Sequence, residues 1–459
     1  MADVVGALPI YLKRLEWQAD VIIPLYDLKW LNAAEKKEIY RGRLDDGGES
    51  YDFTIVELKG ESIDFPLYGV DIPRLFYRDS VYLNEQGVGF DDEPERNTAF
   101  QRSVLTWLIN QGNTYDIIHC HDHQTGFIPF FIKEVPSYQG LKGTPTMYSI
   151  HNGAYNSRFS WEHPGLLPEF PFHIRGLIDW DGDVDAVCAA MRFSDHVNTV
   201  SPNYLEEIKN DLAPLRQESS NDPERFSGIL NGIDSEVWDP ATDEMVAFPL
   251  KRSIKQFKLE NKKALLPGLY QLDGIPLISF IGRFSHQKGT DLLAPSIERV
   301  LARFGFVNFF ILGSGDRHAE RSIQALRDKY PERIACYIGY NEALAHQIYA
   351  ASDFILMPSR FEPCGLNQLF GMRYGALTIA RETGGLKDTV VDFESGGLGV
   401  SHRYASVDDL ILAMARALHL YKDKERFKKL RTKAMKMDYS WAKSAKIYIE
   451  KYNEIISKK

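Results

Sequence analysis

The sequence predicts an α/β protein built on parallel sheets, and two observations carry that prediction. Short apolar runs recur along the chain, each ending in polar residues or glycine, and helical stretches separate them. At 459 residues the chain is also too long for one ordinary core, so two or three domains are expected.

The elements follow in order. Residues 2–15 place Val4, Val5, Leu8, Tyr11, Leu12 and Leu15 at helical spacing. Residues 115–121, 144–151 and 196–201 read as short buried strands. A second strand series covers 275–283, 308–316, 333–340, 353–359 and 376–382. The polar, lysine-rich stretch from Asp239 to Gly274 lies between the two series and is the expected linker. Residues 406–423 form a helix, with Ser406 as its N-cap and Asp408 and Asp409 in its first turn. Near the end, Trp441, Ala445, Tyr448, Ile449, Tyr452, Ile455 and Ile456 share one helical face. In sheets of this kind ligands bind beyond the carboxyl ends of the strands.

Composition narrows the class. Hydrophobic content is 44% and charged content 25%, as in ordinary globular proteins. The net charge of −9 argues against a nucleic-acid or membrane-surface binder, so an anionic ligand needs local cations. Four scattered cysteines with no C-x-x-C pair fit a reducing, cytoplasmic setting. There is no apolar run of membrane-spanning length, and the amino end lacks a signal-peptide layout.

Chemistry-bearing residues sit at the strand ends. Arg283 and Lys288 bracket a glycine-containing turn, which suits a phosphate group or simply a solvated basic loop. Glu362 stands before Pro363 at a helix start, either as a site carboxylate or as a partner of the helix dipole. Thr383, Gly384 and Gly385 precede another helix; the glycines let backbone N–H groups approach an anion, or make a tight turn. "FILGSGD" lacks a third spaced glycine and reads as a turn. "HCHDH" at 119–123 has metal-ligand residue types, but strand alternation turns His119 and His121 away from Cys120, so one ion could not gather all five.

Together the segments resemble the bacterial glycogen synthase and plant starch synthase family. The matching stretches are "ADVVGALP" (2–9), "HCHDHQTG" (119–126), "IHNGAY" (150–155), "TVSPNYLEEI" (199–208), "ILNGIDSEVWDP" (229–240), "GRFSHQKGTDLL" (282–293), "PSRFEPCGLNQLFGMRYG" (358–375), "TGGLKDTV" (383–390) and "YSWAKSAKIYIEKY" (439–452). The resemblance implies a GT-B glycosyltransferase fold, two Rossmann-like domains facing across a cleft. It implies an acceptor-side domain at 1–240, a nucleotide-sugar domain at 241–438, and a helix at 439–459 returning to the first. The implied reaction moves glucose from ADP-glucose to the non-reducing 4-OH of an α-1,4-glucan with retention. It implies no cofactor and no metal. By the same resemblance Arg283, Lys288 and the 383–386 backbone, including Leu386, face the diphosphate. Glu362 and Asp122 are active-site carboxylates, His151, Asn152 and Asn231 line the glucose pocket, and Asp3 lies beside the sugar.

Two departures stand out. Many transferases of this fold have a second glutamate eight positions after the first; here Phe370 occupies it, as in the glycogen synthase branch. Family members also carry a strand and a Lys-x-Gly-Gly-Leu loop before "ADVVGALP", whereas this sequence opens at Met1. The first strand of the N-terminal domain is therefore expected to be missing, and a chain extended upstream to be more stable and more active. That leaves a catalytically impaired glucan-binding or regulatory homologue, or a UDP-glucose-using transferase, as alternatives. A pyridoxal-phosphate phosphorylase of this fold finds no supporting lysine motif.

Overall fold

The computed structural model describes residues 1–60, 63–78, 80–82, 88–112, 114–268 and 272–459. They form two compact units. One takes Met1–Val200, Ile208–Ile229 and Ala445–Lys459; the other takes Ser201–Glu207 and Leu230–Ser444.

The second unit is built on a six-stranded parallel sheet. Its strands, from edge to edge, are Ile334–Ile338, Asn308–Gly313, Leu277–Ile281, Phe354–Met357, Leu377–Arg381 and Val400–His402. Counted along the chain, the order is 3-2-1-4-5-6, that of a doubly wound sheet. The direction of winding reverses between Leu277–Ile281 and Phe354–Met357, and loops leaving those two strands diverge to open a crevice. Asn308–Gly313 is buried at every position. Burial on both faces explains why these strands read as continuous apolar runs rather than alternating ones. Helix Val407–Lys422 starts where expected: the Ser406 hydroxyl accepts the Asp409 N–H at 3.3 Å.

The expected linker needs correction. Of residues 239–274, 269–271 lie outside the described residues; the rest belongs to the second unit. Helix Ile254–Leu265 buries Phe257, Lys258, Asn261 and Lys262. Lys258 donates to the Tyr349 carbonyl at 2.8 Å, and Lys262 pairs with Asp353. Lysines that look solvated in the sequence thus have buried acceptors. The boundary also falls at 229/230 and not at 240. Ile233 N–H donates to the Tyr439 carbonyl at 2.8 Å. Gly232 lies so close to Trp441 that a Cβ would stand 2.4 Å from its backbone nitrogen. The 229–234 turn is therefore stitched into the second unit.

The first unit holds a four-stranded parallel sheet in the order Phe226–Gly228, His196–Thr199, Thr146–Ile150, Ile118–His121. A second sheet, Val21–Pro24, Leu67–Asp71, Asp52–Lys59 and Glu35–Arg43, departs from the all-parallel expectation. Only Val21–Pro24 and Leu67–Asp71 pair in parallel; the other pairings are antiparallel. Helix Ala2–Arg14 buries Val4, Leu8, Tyr11 and Leu12. The last helix, Trp441–Ser457, is divided between the units: from Ala445 on it belongs to the first. Ala445, Tyr448, Tyr452 and Ile455 are buried, as one apolar face requires.

Candidate active site

The residues singled out from the sequence fall into two sets, one on each unit. On the second unit Arg283 and Lys288 follow strand Leu277–Ile281, and Glu362 follows strand Phe354–Met357. These are the two strands that flank the reversal, where a doubly wound sheet binds its ligand. Lys288 Nζ lies 2.6 Å from Glu362 Oε2. Ser359 donates its hydroxyl to the same oxygen at 2.9 Å. Glu362 is only 5% exposed, so these two donors hold a buried carboxylate. Arg283 is exposed, and among the described residues no acceptor takes its guanidinium. The turn between them packs tightly. Gly289, at φ +66, would put a Cβ 2.2 Å from the Pro358 carbonyl oxygen. Arg360 N–H donates to the Gln287 carbonyl at 2.8 Å, which locks the two loops together.

Asn231 joins this set. Its backbone N–H points at the Cys364 sulfur, and its side-chain oxygen is buried with no partner among the described residues. The Thr383–Leu386 segment lies alongside. A Cβ on Gly384 or Gly385 would meet the carbonyl oxygen of Glu362 at 2.1 Å or of Cys364 at 2.3 Å. Both glycines thus serve a close backbone approach to the glutamate turn. Their N–H groups are engaged inside the protein: Gly384 donates to Glu207 Oε1 at 2.8 Å, and Gly385 to the Glu362 carbonyl at 3.0 Å. Thr383 donates its hydroxyl to Glu207 Oε2 at 3.0 Å. Leu386 is buried in the core of the unit. This segment therefore braces the glutamate turn from behind. Phe370 stacks on Trp238 at 3.8 Å, so the position of the second glutamate is used for packing.

On the first unit Asp122 follows strand Ile118–His121, and His151 and Asn152 follow the neighbouring strand Thr146–Ile150. Asp122 has φ 56° and ψ −178°, a conformation close to glycine-only territory. Its carboxylate accepts the His151 N–H at 2.7 Å and, more weakly, the Asn152 N–H at 3.4 Å. Burial pushes its pKa up, and those backbone donors work against the rise. The amino end of the first helix, with Asp3 in its first turn, reaches the same place: the Met1 α-amino group acts on Asp122 and His151.

The five residues of "HCHDH" go separate ways. His119 and His121 share a face, their rings 4.1 Å apart, and Cys120 is buried on the other. His119 bonds Tyr452 at 2.8 Å and Ser149 at 2.6 Å. His123 bonds Glu93 at 2.9 Å. Among the described residues no group of three or more His, Cys, Asp or Glu is arranged to hold a metal. His121 Nδ1 lies 2.9 Å from His151 Nε2, and His151 Nδ1, buried, has no partner among the described residues. One ring nitrogen of His151 is thus committed to His121 and the other has no partner among the described residues.

Burial disfavours the charged form of His119, His121, His151 and His196. It lowers His119 and His151 well below the ordinary value, and brings His121 and His196 down to about 3. In the unfolded chain each takes up a proton near pH 6.5, while the folded form refuses it. The stabilisation is therefore complete above about pH 6.5 and is lost as pH falls, for His121 and His196 on the way to about 3. Urea unfolding at pH 7.5 and 5.5 should show a clearly lower midpoint at 5.5; equal midpoints would contradict the buried neutral histidines.

Some participants are not legible as such in the sequence. Ser359 and Glu207 sit inside quoted motifs, but only contacts reveal that they hold Glu362 and Gly384.

Comparison with known proteins adds to this geometry. The starch synthase catalytic domain family matches residues 1–217, and the group 1 glycosyl transferases match residues 275–419. The chain is 40% identical to a glycogen synthase of Flavobacterium johnsoniae, over 100% of this chain and 96% of that one. It is 35% identical to glycogen synthase 2 of Nitrosococcus oceani, over 100% and 94%. Among solved structures it is similar to the catalytic domain of starch synthase IV from Arabidopsis thaliana bound to ADP and acarbose. That match has a TM-score of 0.86 and 31% identity, covering 99% of this chain and 95% of that one. Sucrose-phosphate synthase from Thermosynechococcus elongatus, at a TM-score of 0.61 and 16% identity over 98% and 92%, shares the fold.

Proposed function

We propose, for a chain that belongs to the bacterial glycogen synthase and plant starch synthase family, that it transfers glucose from ADP-glucose to the non-reducing 4-OH of an α-1,4-glucan with retention of configuration. The observation that carries the residue assignment is the 2.6 Å Lys288–Glu362 pair, with the open Arg283 guanidinium nearby in sequence, at the reversal of the six-stranded sheet.

The chemistry asks for two things. ADP must leave with its negative charge stabilised, and the sugar must be held while oxocarbenium-like charge develops on it. Arg283 and Lys288 are fixed cations for the departing diphosphate. Glu362 has one oxygen committed to Lys288 and Ser359, which leaves the other to accept sugar hydroxyls. The unpartnered Asn231 side-chain oxygen is a further acceptor for them. His151 offers its open ring nitrogen, with Asn152 next to it and Asp122 at the end of the neighbouring strand; Asp3, in the first turn of helix Ala2–Arg14, is proposed to lie beside the sugar. The 383–386 segment acts by holding the glutamate turn in place. All four cysteines are free, which supports a reducing, cytoplasmic location. No described helix is long and apolar enough to cross a membrane.

The test is ADP release from ADP-glucose in the presence of glycogen, with UDP-glucose as the competing donor. Glycogen-dependent ADP release, with far slower use of UDP-glucose, is the expected result; release without glycogen, or preference for UDP-glucose, overturns the reading. Adding a chelator should leave the rate unchanged, because fixed cations take the place of a metal. A loss restored by zinc or magnesium would reinstate metal chemistry.

A further inference from the structure

We infer that Tyr452, on the last helix, is a positioning residue for the transfer reaction: it fixes His119, and through His119 and His121 it sets the orientation of His151. The inference rests on the reading above, which puts His151 in the glucose pocket. Tyr452 itself belongs to neither set of residues placed there.

Strand alternation lays out the path. His119 and His121 point to one face of strand Ile118–His121, and Ser149 and His151 share a face on and just beyond Thr146–Ile150. From Ala445 on, helix Trp441–Ser457 belongs to the first unit and brings two tyrosines to these side chains. Tyr448 is fully buried and Tyr452 is 4% exposed. The Tyr452 hydroxyl lies 2.8 Å from His119 Nδ1, and His119 Nε2 lies 2.6 Å from the Ser149 hydroxyl. Ser149 bonds Asn198 Oδ1 in turn. Asn198 Nδ2 then lies 3.4 Å from both the Tyr448 hydroxyl and the Thr199 carbonyl. The contacts run from the helix through three adjacent strands and back to the helix. Ser149 and Asn198 are fully buried, so water does not replace a lost partner there.

The circuit has a direction. The Thr199 carbonyl can only accept, so the Asn198 amide turns its nitrogen to Thr199 and its oxygen to Ser149. The Ser149 hydrogen is therefore spent on Asn198, and Ser149 accepts from His119 Nε2. Burial disfavours the charged form of His119, and a neutral imidazole donates from one nitrogen only. Nδ1 is then an acceptor, and among the described residues Tyr452 is its one donor. Burial also raises the Tyr452 phenol well above its ordinary value, which keeps the proton it donates. A ring held at both nitrogens does not turn. It lies 4.1 Å from the His121 ring, and His121 Nδ1 lies 2.9 Å from His151 Nε2. His151 is thus left with one orientation, set from the helix. A small misplacement passed along this path costs turnover more than binding, because reacting groups tolerate little displacement.

The experiment uses the full chain with Tyr452→Phe, Ile455→Ala, His151→Ala and the double variant of Tyr452 and His151. ADP release from ADP-glucose is measured well below the melting temperature of each. Tyr452→Phe keeps the ring and removes only the donor. Its kcat should fall about 10- to 100-fold, with KM for ADP-glucose within about twofold of the wild type. Ile455, also buried on this helix, contributes packing alone. Ile455→Ala should lower the melting temperature and leave kcat unchanged. In the His151→Ala background, Tyr452→Phe should change kcat by less than about twofold, because the residue it orients is gone. A wild-type kcat in Tyr452→Phe overturns the inference. So does the same loss with and without His151, or an equal loss of kcat in Ile455→Ala. Ring-¹⁵N spectra of the histidine-labelled wild type give a second readout. His119, identified by the signals missing from His119→Gln, should carry its proton on Nε2; a proton on Nδ1 overturns the direction of the circuit and with it the role of Tyr452. A wild type that releases no ADP defeats the transferase reading. A wild type that does, matched by Tyr452→Phe, defeats this inference alone.

Discussion

Replacing Lys288 with alanine should lower turnover about 100- to 1000-fold, while affinity for ADP-glucose changes far less. Arg283→Ala should give a loss in the same range. The reason is timing: diphosphate charge is concentrated as the glycosidic bond breaks, so a fixed cation does most in the transition state. The two variants then differ in a way that tests the geometry. Arg283 is exposed and holds no described partner, so its loss should leave the melting temperature unchanged. Lys288 sits 2.6 Å from a glutamate that is 5% exposed. Removing it leaves Glu362 with only Ser359, and an unsatisfied buried group costs about 1–3 kcal/mol. Lys288→Ala should therefore be both slow and less stable, and Arg283→Ala slow alone. Near-normal turnover in either variant removes that residue from the role. A Lys288→Ala protein as stable as the wild type would mean that Glu362 finds another donor, against the observed pairing.

Much of this site can be read before any coordinates, for a physical reason. Parallel strands buried on both faces leave long apolar runs, and the polar residue that ends each run marks the sheet edge where ligands bind. Arg283 and Glu362 stand out after such runs, while Asp122 and His151 are singled out by the family resemblance. Pairing across the sheet is not readable: Lys288 and Glu362 lie 74 positions apart, and only the strand order makes them neighbours. The glycines at 384–385 are legible in a different way. Their sequence shows a backbone that must approach something closely, but not what it approaches. In the fold it is the Glu362–Cys364 backbone, and Glu207 takes the Gly384 N–H. The second sheet of the first unit escapes for want of signal. Strand Glu35–Arg43 is mostly charged and exposed, and its pairing with Asp52–Lys59 leaves no apolar run. Lysine-rich 254–265 reads as solvated because a buried acceptor for a lysine is invisible until the fold supplies it.

That buried acceptor, Asp353, gives the largest expected effect on stability. Asp353→Asn should cost about 3–5 kcal/mol at neutral pH, read from urea midpoints. Asp353 is 2% exposed and takes three partners: Lys262, Arg431 Nη2 at 2.5 Å, and the Leu277 N–H at 3.0 Å. Burial alone would raise its pKa, but Lys262 and Arg431 hold it down at about 2. The sign follows from that depression. The stabilisation is present above the unfolded value near 3.9 and is lost only as pH falls through about 2. It therefore does not contribute to the loss that the histidines cause between pH 6.5 and 4. An asparagine keeps the shape but leaves Lys262 and Arg431 buried without a counter-charge, beside Lys258, whose own pKa burial already depresses. A combined Lys262→Met, Asp353→Leu, Arg431→Met variant should recover much of the loss, since removing all the charges together avoids the unpaired ones. The position makes the effect reach the active site. Asp353 binds the first residue of the strand that leads to Arg283 and stands directly before the strand that leads to Glu362. Loosening it frees both strands at the reversal, so Asp353→Asn should lower kcat as well as stability, without touching any ligand. An Asp353→Asn protein within about 1 kcal/mol of the wild type would mean that the cluster is ornamental, and that the register of these two strands is set by apolar packing alone.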